Sequence, residues 1–229
     1  MKKVSILSLI ASFFLFFSAC NQQITNENVG SDSTKIDESA DLQLQKATEV
    51  CKVGDFAPDF SLKNVDGKMV SFQNFPQAKG FIVIFTCNHC PYSIAYEDRI
   101  NALDAKFKSK GFPVIAINPN DSLVNEEDSY SQMIVRAKEK RFSFPYLIDD
   151  KQQVFPKYGA TRTPHIFVLS RKESKLLVEY IGSIDNNHEE PAKVTEKYVE
   201  AAVNALLKGE KPEINFTKAI GCSIKVAEK

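Results

Sequence analysis

The sequence Cys87-Asn-His89-Cys90 places two thiols three positions apart, with an imidazole between them. The thiolate is the nucleophilic form of cysteine, and it is favoured at the first turn of a helix, where backbone N–H groups lack helical partners. His89, when protonated, stabilises a nearby thiolate further. The neighbouring cysteine can then resolve a mixed disulfide. The motif therefore predicts thiol–disulfide exchange.

The flanking segments predict the elements that position these thiols. Residues 81–85 form an apolar run typical of a buried strand, and residues 113–117 form a second one. Apolar side chains recur at helical intervals after Cys90, so a strand, a helix and a parallel strand form a right-handed crossover. Further strands are predicted at 144–148, 165–169 and 176–181, and further helices at 129–141, at 154–158 as a single turn, and from Pro191.

A structural zinc site or an inert disulfide would also explain a Cys-x-x-Cys motif. Structural zinc needs a second pair of ligands at a fixed spacing. The sequence has no second Cys-x-x-Cys, and its three histidines, His89, His165 and His188, are widely separated. We therefore predict redox chemistry, with no metal and no cofactor.

Charge composition bears on the class of partner. The 229 residues include 29 basic and 29 acidic side chains, and no basic block occurs. Binding to nucleic acid consequently has no electrostatic support, and we predict no nucleic-acid partner.

The N-terminus predicts export. Two lysines precede an apolar stretch at 4–17, which is too short to span a membrane and is typical of a secretory signal. Its end, Phe17-Ser-Ala-Cys20, resembles a bacterial lipobox, which implies cleavage before Cys20 and lipidation of that residue. We predict a signal peptide at 1–19, a polar flexible tether at 20–49 and a folded domain with a C-terminal tail at 50–229. The domain would be lipid-anchored in the cell envelope and face the periplasm.

The folded domain opens with Val-Gly-Asp-Phe-Ala-Pro-Asp-Phe-Ser-Leu at 53–62. Phe60 and Leu62 alternate with polar residues, Asp66-Gly67 forms a turn, and alternation resumes at Val70, so the pattern predicts a β-hairpin. With the strand and the Cys-x-x-Cys that follow, this opening resembles the redoxin branch of the thioredoxin superfamily. That branch includes AhpC/TSA-like proteins and membrane-tethered thiol–disulfide oxidoreductases.

The resemblance implies an α/β thioredoxin-like fold, with a central mixed sheet flanked by helices and an N-terminal hairpin. It implies that Cys87 is the nucleophile and Cys90 the resolving cysteine, and we expect Cys87 to be nearer the helix N-terminus and more exposed. Thr163 and Pro164, the latter a cis-proline, would face both thiols and the partner. Partners would be thiol- or disulfide-containing proteins and the membrane, and a membrane electron donor is a candidate. The direction of electron flow stays open, although tethered relatives favour a reductant.

Two other functions remain open. Peroxiredoxins carry Thr or Ser three residues before the reactive cysteine, where this chain has Ile84, but Arg162 could polarise a peroxide. Two thiolates and an imidazole suit Cu(I), and His165 could supply the imidazole. Copper assembly factors of this fold have Cys-x3-Cys, however, which this chain lacks.

Cys51 and Cys222 flank the domain. They could form a disulfide in an oxidising compartment, they could stay free, or Cys222 could act as a third redox cysteine. Geometry decides among these alternatives, and the sequence does not supply it.

Overall fold

The computed structural model describes residues 50–226, and the predicted signal peptide, tether and Cys20 lie outside the described residues. The strands are β1 (Leu62–Asn64), β2 (Met69–Val70), β3 (Gly80–Phe85), β4 (Val114–Asn118), β5 (Tyr146–Ile148), β6 (Arg162–Thr163), β7 (His165–Lys172), β8 (Lys175–Gly182) and β9 (Cys222–Ser223). The helices are α1 (Pro91–Phe107), α2 (Tyr130–Glu139), α3 (Phe155–Tyr158) and α4 (Tyr198–Leu207). Within this part of the chain, no helix is both long and apolar enough to cross a membrane.

Seven strands form one mixed sheet in the order β2-β1-β5-β4-β3-β7-β8. The strands β3, β4 and β5 are parallel, whereas β7, β8, β1 and β2 join antiparallel. The short strands β6 and β9 form a separate two-stranded sheet. The predicted α/β architecture with a central mixed sheet is confirmed.

The strand β3 lies at the centre of the sheet, and all six of its residues are buried. Its side chains alternate between two cores, because successive residues of a strand point to opposite faces. Ile82 and Ile84 pack with residues of α1, α2 and α4 on one face. Phe81, Val83 and Phe85 pack on the other face with residues of β1 and α3. Burial on both faces explains the continuous apolar run in the sequence.

The N-terminal hairpin forms as predicted. Leu62 of β1 pairs with Val70 of β2, and the turn between the strands is closed by backbone hydrogen bonds between Asn64 and Lys68 and from Gly67 to Asn64. Gly67 has φ of +85°, a conformation that glycine adopts without a steric penalty.

The last helix begins later than predicted. Pro191 opens only a short 3-10 turn, Pro191–Lys193, and α4 starts at Tyr198. The reason is Asn186, whose side-chain oxygen accepts hydrogen bonds from the backbone N–H groups of Thr195 and Glu196 at 3.1 and 3.2 Å. These contacts hold the chain extended between the turn and the helix.

A buried carboxylate fixes the segment that leads to Pro164. Asp149 accepts hydrogen bonds from the backbone N–H groups of Gln153, Val154 and Phe155, each at 2.9 Å. These N–H groups open α3 and have no partner within that short helix. Asp149 thereby connects the end of β5 to the single helical turn that precedes β6.

Replacement of Asp149 by Ala should lower the free energy of unfolding by about 2–3 kcal/mol, because three buried N–H groups lose their shared acceptor. The measurement is urea denaturation. Asp150→Ala is the matched control, since its side chain is exposed and should leave stability within about 0.5 kcal/mol of wild type. Equal effects of the two substitutions would contradict this role of Asp149.

Candidate active site

The two cysteines of the motif lie between β3 and α1. Cys90 is the N-cap residue of α1, with extended backbone angles (φ −69°, ψ 122°), and Pro91 is the first helical residue. The extended conformation of Cys90 follows from the proline after it. The prediction that Cys87 lies nearer the helix N-terminus is therefore wrong. Cys87 is 3% exposed and Cys90 is fully buried, so the expected difference in exposure is small.

Thr163 contacts both sulfurs, and the Thr163–Pro164 bond is cis, as predicted. The Thr163 hydroxyl lies 3.2 Å from Cys87 Sγ, and the Thr163 carbonyl oxygen lies 3.1 Å from Cys90 Sγ. The sheet brings this loop into place, because Phe85 at the end of β3 pairs with His165 at the start of β7. Residues more than 70 positions apart in sequence thus form one site.

His89 contacts Cys87 and a carboxylate that the sequence did not reveal. Its Nδ1 lies 2.5 Å from Asp128 Oδ2 and 3.8 Å from Cys87 Sγ. Asp128 is fully buried and also accepts hydrogen bonds from the Asn88 backbone and the Asn120 side chain, at 2.7 and 2.8 Å. The nearer acceptor takes the Nδ1 proton, so His89 donates to Asp128. Asp128 follows β4, at the carboxyl edge where α/β sheets place their sites.

The two thiols of the motif have opposite pKa shifts. A hydrogen bond from Cys87 lowers the pKa of Cys90 to about 4, and contacts with Cys222 and the Ser93 backbone N–H act in the same direction. That hydrogen bond, burial and the negative charge of Asp128 raise the pKa of Cys87 well above its ordinary value. When Cys90 is protonated, its thiol donates to the Thr163 carbonyl, but the contacts that favour its thiolate outweigh this one. At neutral pH the pair therefore holds one proton and one negative charge.

A third cysteine completes the site. Cys222 Sγ lies 2.6 Å from Cys90 Sγ, because β9 pairs antiparallel with β6 and sets Cys222 opposite Thr163. Cys51 lies elsewhere, in a cleft of about 660 Å³ that it lines with His165 and other residues. Cys51 and Cys222 are both free thiols in this structure, and it is Cys90 that Cys222 contacts.

Arg162 and His165, which the alternative hypotheses invoke, make other contacts in the structure. Arg162 donates a hydrogen bond to the Ser223 hydroxyl at 3.0 Å, so it holds the tail. His165 is buried, which lowers the pKa of its imidazole to about 4 and keeps the ring neutral at pH 7. Its Nδ1 accepts a hydrogen bond from the Thr161 backbone at 3.3 Å.

One group of side chains within residues 50–226 could hold a metal ion, namely Cys87, His89 and Asp128. It combines one thiolate with a carboxylate, whereas Cu(I) prefers thiolate and thioether ligands. His165 is not a member of the group. The geometry does not favour the copper hypothesis.

Comparison with known proteins decides the family. The sequence model of the AhpC/TSA family matches residues 53–177, more than half of the chain. The chain belongs to the AhpC/TSA family. With its thioredoxin-like fold, it is a thiol–disulfide oxidoreductase of the redoxin group, which confirms the resemblance seen in the sequence.

Individual relatives support this assignment. The chain is 26% identical over 137 residues to the thiol-disulfide oxidoreductase ResA of Bacillus thuringiensis subsp. konkukian, which covers 58% of this chain and 72% of the relative. It is 30% identical over 74 residues to a putative peroxiredoxin, bcp, of Helicobacter pylori, which covers 32% of this chain and 49% of the relative. A crystal structure of an uncharacterized conserved protein from Geobacillus kaustophilus superposes with a TM-score of 0.72 at 33% identity and covers 78% of this chain and 94% of that one.

The reduced protein should show a thiolate that titrates near pH 4, because hydrogen bonds lower the pKa of Cys90 to about 4. Ultraviolet absorbance of the thiolate measures it. Cys90→Ala should remove the transition, and Cys87→Ala should move it to higher pH by removing the main hydrogen bond. The control Cys51→Ala should leave it unchanged.

The same titration has a consequence for stability. An unfolded cysteine keeps its proton up to about its ordinary pKa of 9.0, so the Cys90 thiolate stabilises the reduced fold fully above that pH. This contribution falls as the pH drops towards 4. A wild-type protein whose pH dependence of unfolding between these values matched that of Cys90→Ala would contradict the assignment.

Proposed function

We propose that this protein exchanges disulfides with partner proteins, with Cys87 as the attacking cysteine and Cys90 as the resolving one. The observation that carries the proposal is that the sulfurs of Cys87 and Cys90, which follow β3, both contact Thr163. Cys87 is assigned the attack because Cys90 is fully buried and Cys222 lies against its sulfur.

The shared proton explains how a thiol with a raised pKa can attack. Cys87 donates its proton to the Cys90 thiolate along their hydrogen bond, so transfer of that proton yields the Cys87 thiolate. The Thr163 hydroxyl, 3.2 Å away, can donate to this thiolate. Attack on a partner disulfide forms a mixed disulfide at Cys87 and releases one partner thiolate. Cys90 then attacks Cys87 Sγ, forms the Cys87–Cys90 disulfide and releases the second partner thiol.

Asp128 and His89 supply the proton acceptor that the apolar strand β3 does not offer. In this hydrogen-bonded pair, His89 Nδ1 lies 3.8 Å from Cys87 Sγ. The pair can take up the proton that the thiols release during oxidation and return it during reduction. Asp128 is fully buried, which keeps this exchange close to the reacting sulfurs.

The site of action is proposed to be the periplasmic side of a membrane. Residues 1–19 have the composition of a secretory signal, and Cys20 follows a sequence that resembles a lipobox. A lipid on Cys20 and the polar segment 20–49 would tether the domain to the membrane and leave it access to partner proteins. A membrane electron donor would then restore the starting redox state.

The exchange mechanism predicts distinct behaviour for the two cysteine variants. Cys87→Ser should abolish exchange with a disulfide-containing protein substrate, because the attacking sulfur is gone. Cys90→Ser should accumulate a mixed disulfide at Cys87, which non-reducing electrophoresis detects. Cys51→Ser is the control and should retain full exchange, since Cys51 lies outside the site. Undiminished exchange by Cys87→Ser would overturn the proposal.

The reduction potential should be on the oxidising side of the thioredoxin range. A low pKa at Cys90 stabilises the reduced form, and a stabilised reduced form raises the potential. Equilibration with glutathione should therefore give a value nearer about −180 to −120 mV than about −270 mV. A potential of about −270 mV would contradict a stabilised thiolate at Cys90.

A thiol-dependent peroxidase is the second candidate, because one relative is a putative peroxiredoxin. The contact of Arg162 with the tail weakens this candidate, because one N–H group of that guanidinium already donates to the Ser223 hydroxyl. Consumption of hydrogen peroxide with dithiothreitol as the reductant distinguishes the two functions. Peroxide turnover that depends on Cys87, without protein disulfide exchange, would favour the peroxidase.

A further inference from the structure

The C-terminal tail returns to the active site and is held there by specific contacts. The Asn120 side chain accepts a hydrogen bond from the Lys225 backbone N–H at 2.8 Å, and Gln152 donates to the Lys225 carbonyl at 2.8 Å. Arg162 binds Ser223, as described above. These contacts come from two loops and from strand β6, so the tail has a defined position on the domain.

A glycine lets the tail approach closely. A Cβ atom at Gly221 would lie 2.2 Å from the carbonyl oxygen of Thr163 and 2.6 Å from the carbonyl carbon of the same residue. Both distances are far shorter than a van der Waals contact. The backbone before Cys222 therefore passes directly against the residue that contacts both active-site sulfurs. The antiparallel pairing of Thr163 with Cys222 then sets the third sulfur 2.6 Å from Cys90 Sγ.

We propose that Cys222 is a third redox-active cysteine, which takes over the disulfide from the Cys87–Cys90 pair. The proposal rests on the disulfide exchange proposed above and adds an intramolecular step to it. In the oxidised protein, the Cys222 thiolate attacks Cys90 Sγ. The Cys90–Cys222 bond forms as the Cys87–Cys90 bond breaks, and the electron pair leaves on Cys87 Sγ, which takes the proton that Cys222 released. The total number of disulfides is unchanged, so the step needs no further oxidant or reductant.

The surroundings of Cys222 change in a way that suits this step. In the reduced protein, burial and then the hydrogen bond and negative charge of Cys90 raise the pKa of Cys222 to about 11, so it keeps its proton. The two contributions of Cys90 require a charged, unbonded sulfur, and both disappear when Cys90 is in a disulfide. The positive charges of Lys225 and Arg162 remain and favour the Cys222 thiolate. Burial, the largest cause of the raised pKa, stays, but oxidation of the pair removes both contributions of Cys90 and so lowers the pKa of Cys222 relative to the reduced protein.

The step would give the protein two oxidised forms with different reactivity. In one form Cys87 is in a disulfide with Cys90. In the other form the disulfide lies between Cys90 and the tail, and Cys87 is a thiol again. The tail would thus take the place of a partner protein, because β9 occupies the edge of β6 with which an extended segment of a partner could pair.

Trypsin separates the two forms in the full-length chain. It releases Cys87 and Cys90 together on residues 80–99 and Cys222 on residues 219–225. The protein is equilibrated with glutathione at several redox ratios, free thiols are blocked, and the digest is analysed by mass spectrometry without reduction. A disulfide between the two peptides should form and should vary reversibly with the glutathione ratio. Absence of this linkage, or a linkage that does not respond to the ratio, would overturn the proposal.

Variants identify the sulfurs and separate this proposal from the previous one. Cys87→Ser should retain the peptide linkage, because Cys90 and Cys222 are both present, and Cys51→Ser should match wild type. Gly221→Ala should lose the linkage by displacing the tail, while the reversible Cys87–Cys90 disulfide remains. Cys222→Ser tests the exchange reaction alone. A reversible Cys87–Cys90 couple in that variant, without linkage in wild type, would refute only the third cysteine, whereas loss of the couple would refute both proposals.

Discussion

Thr163 is the residue on which the arrangement of the site depends. Its hydroxyl contacts Cys87, its carbonyl contacts Cys90, and its backbone pairs with Cys222. The residue is fully buried, so these contacts are made away from bulk water, where polar interactions are stronger. Thr163 thereby contacts two of the three sulfurs through different polar groups, and its backbone pairs with the residue that carries the third.

Contacts outside the active site, in the central sheet and at Asp149, keep Thr163 in place. The β3–β7 pairing runs from Gly80 to Phe85, and its last pair sets the start of β7 against the end of β3. Asp149 fixes the approach to β6 from the opposite direction through three backbone hydrogen bonds. The loop is therefore constrained at both ends, and its position relative to Cys87 depends on core packing more than on the loop sequence.

The sequence was sufficient for the parts of the fold that local patterns encode. The buried strand β3 and the hairpin turn at Gly67 each have a short-range signal, and each lies where it was predicted. The motif lies between a strand and a helix as predicted, but Cys90 rather than Cys87 caps the helix. Thr163 was found through its place before a proline, in a context that resembles the family. The start of the last helix was misplaced because Asn186, a residue distant from the helix, binds the preceding backbone.

The parts of the site that the sequence missed, Asp128, or left open, the position of Cys222, depend on long-range geometry. Asp128 follows a run of acidic residues that reads as a solvated loop, and only the return of this loop to His89 gives it a function. Cys222 is 132 residues from Cys90, and its sequence neighbours indicate nothing about the distance between the two sulfurs. Such contacts arise from tertiary packing, which hydrophobic periodicity does not encode.

Two buried negative groups limit how the site can ionise. Asp128 is fully buried beside His89, and its charge raises the pKa of Cys87. A second charge on Cys87, added to the one on Cys90, would therefore be costly, because like charges repel strongly where water is excluded. The site avoids this cost by keeping one proton between the two thiols. The chemistry of the site follows from which thiol holds that proton. When Cys87 holds it, the pair is at rest. When Cys90 holds it, the Cys87 thiolate is the nucleophile.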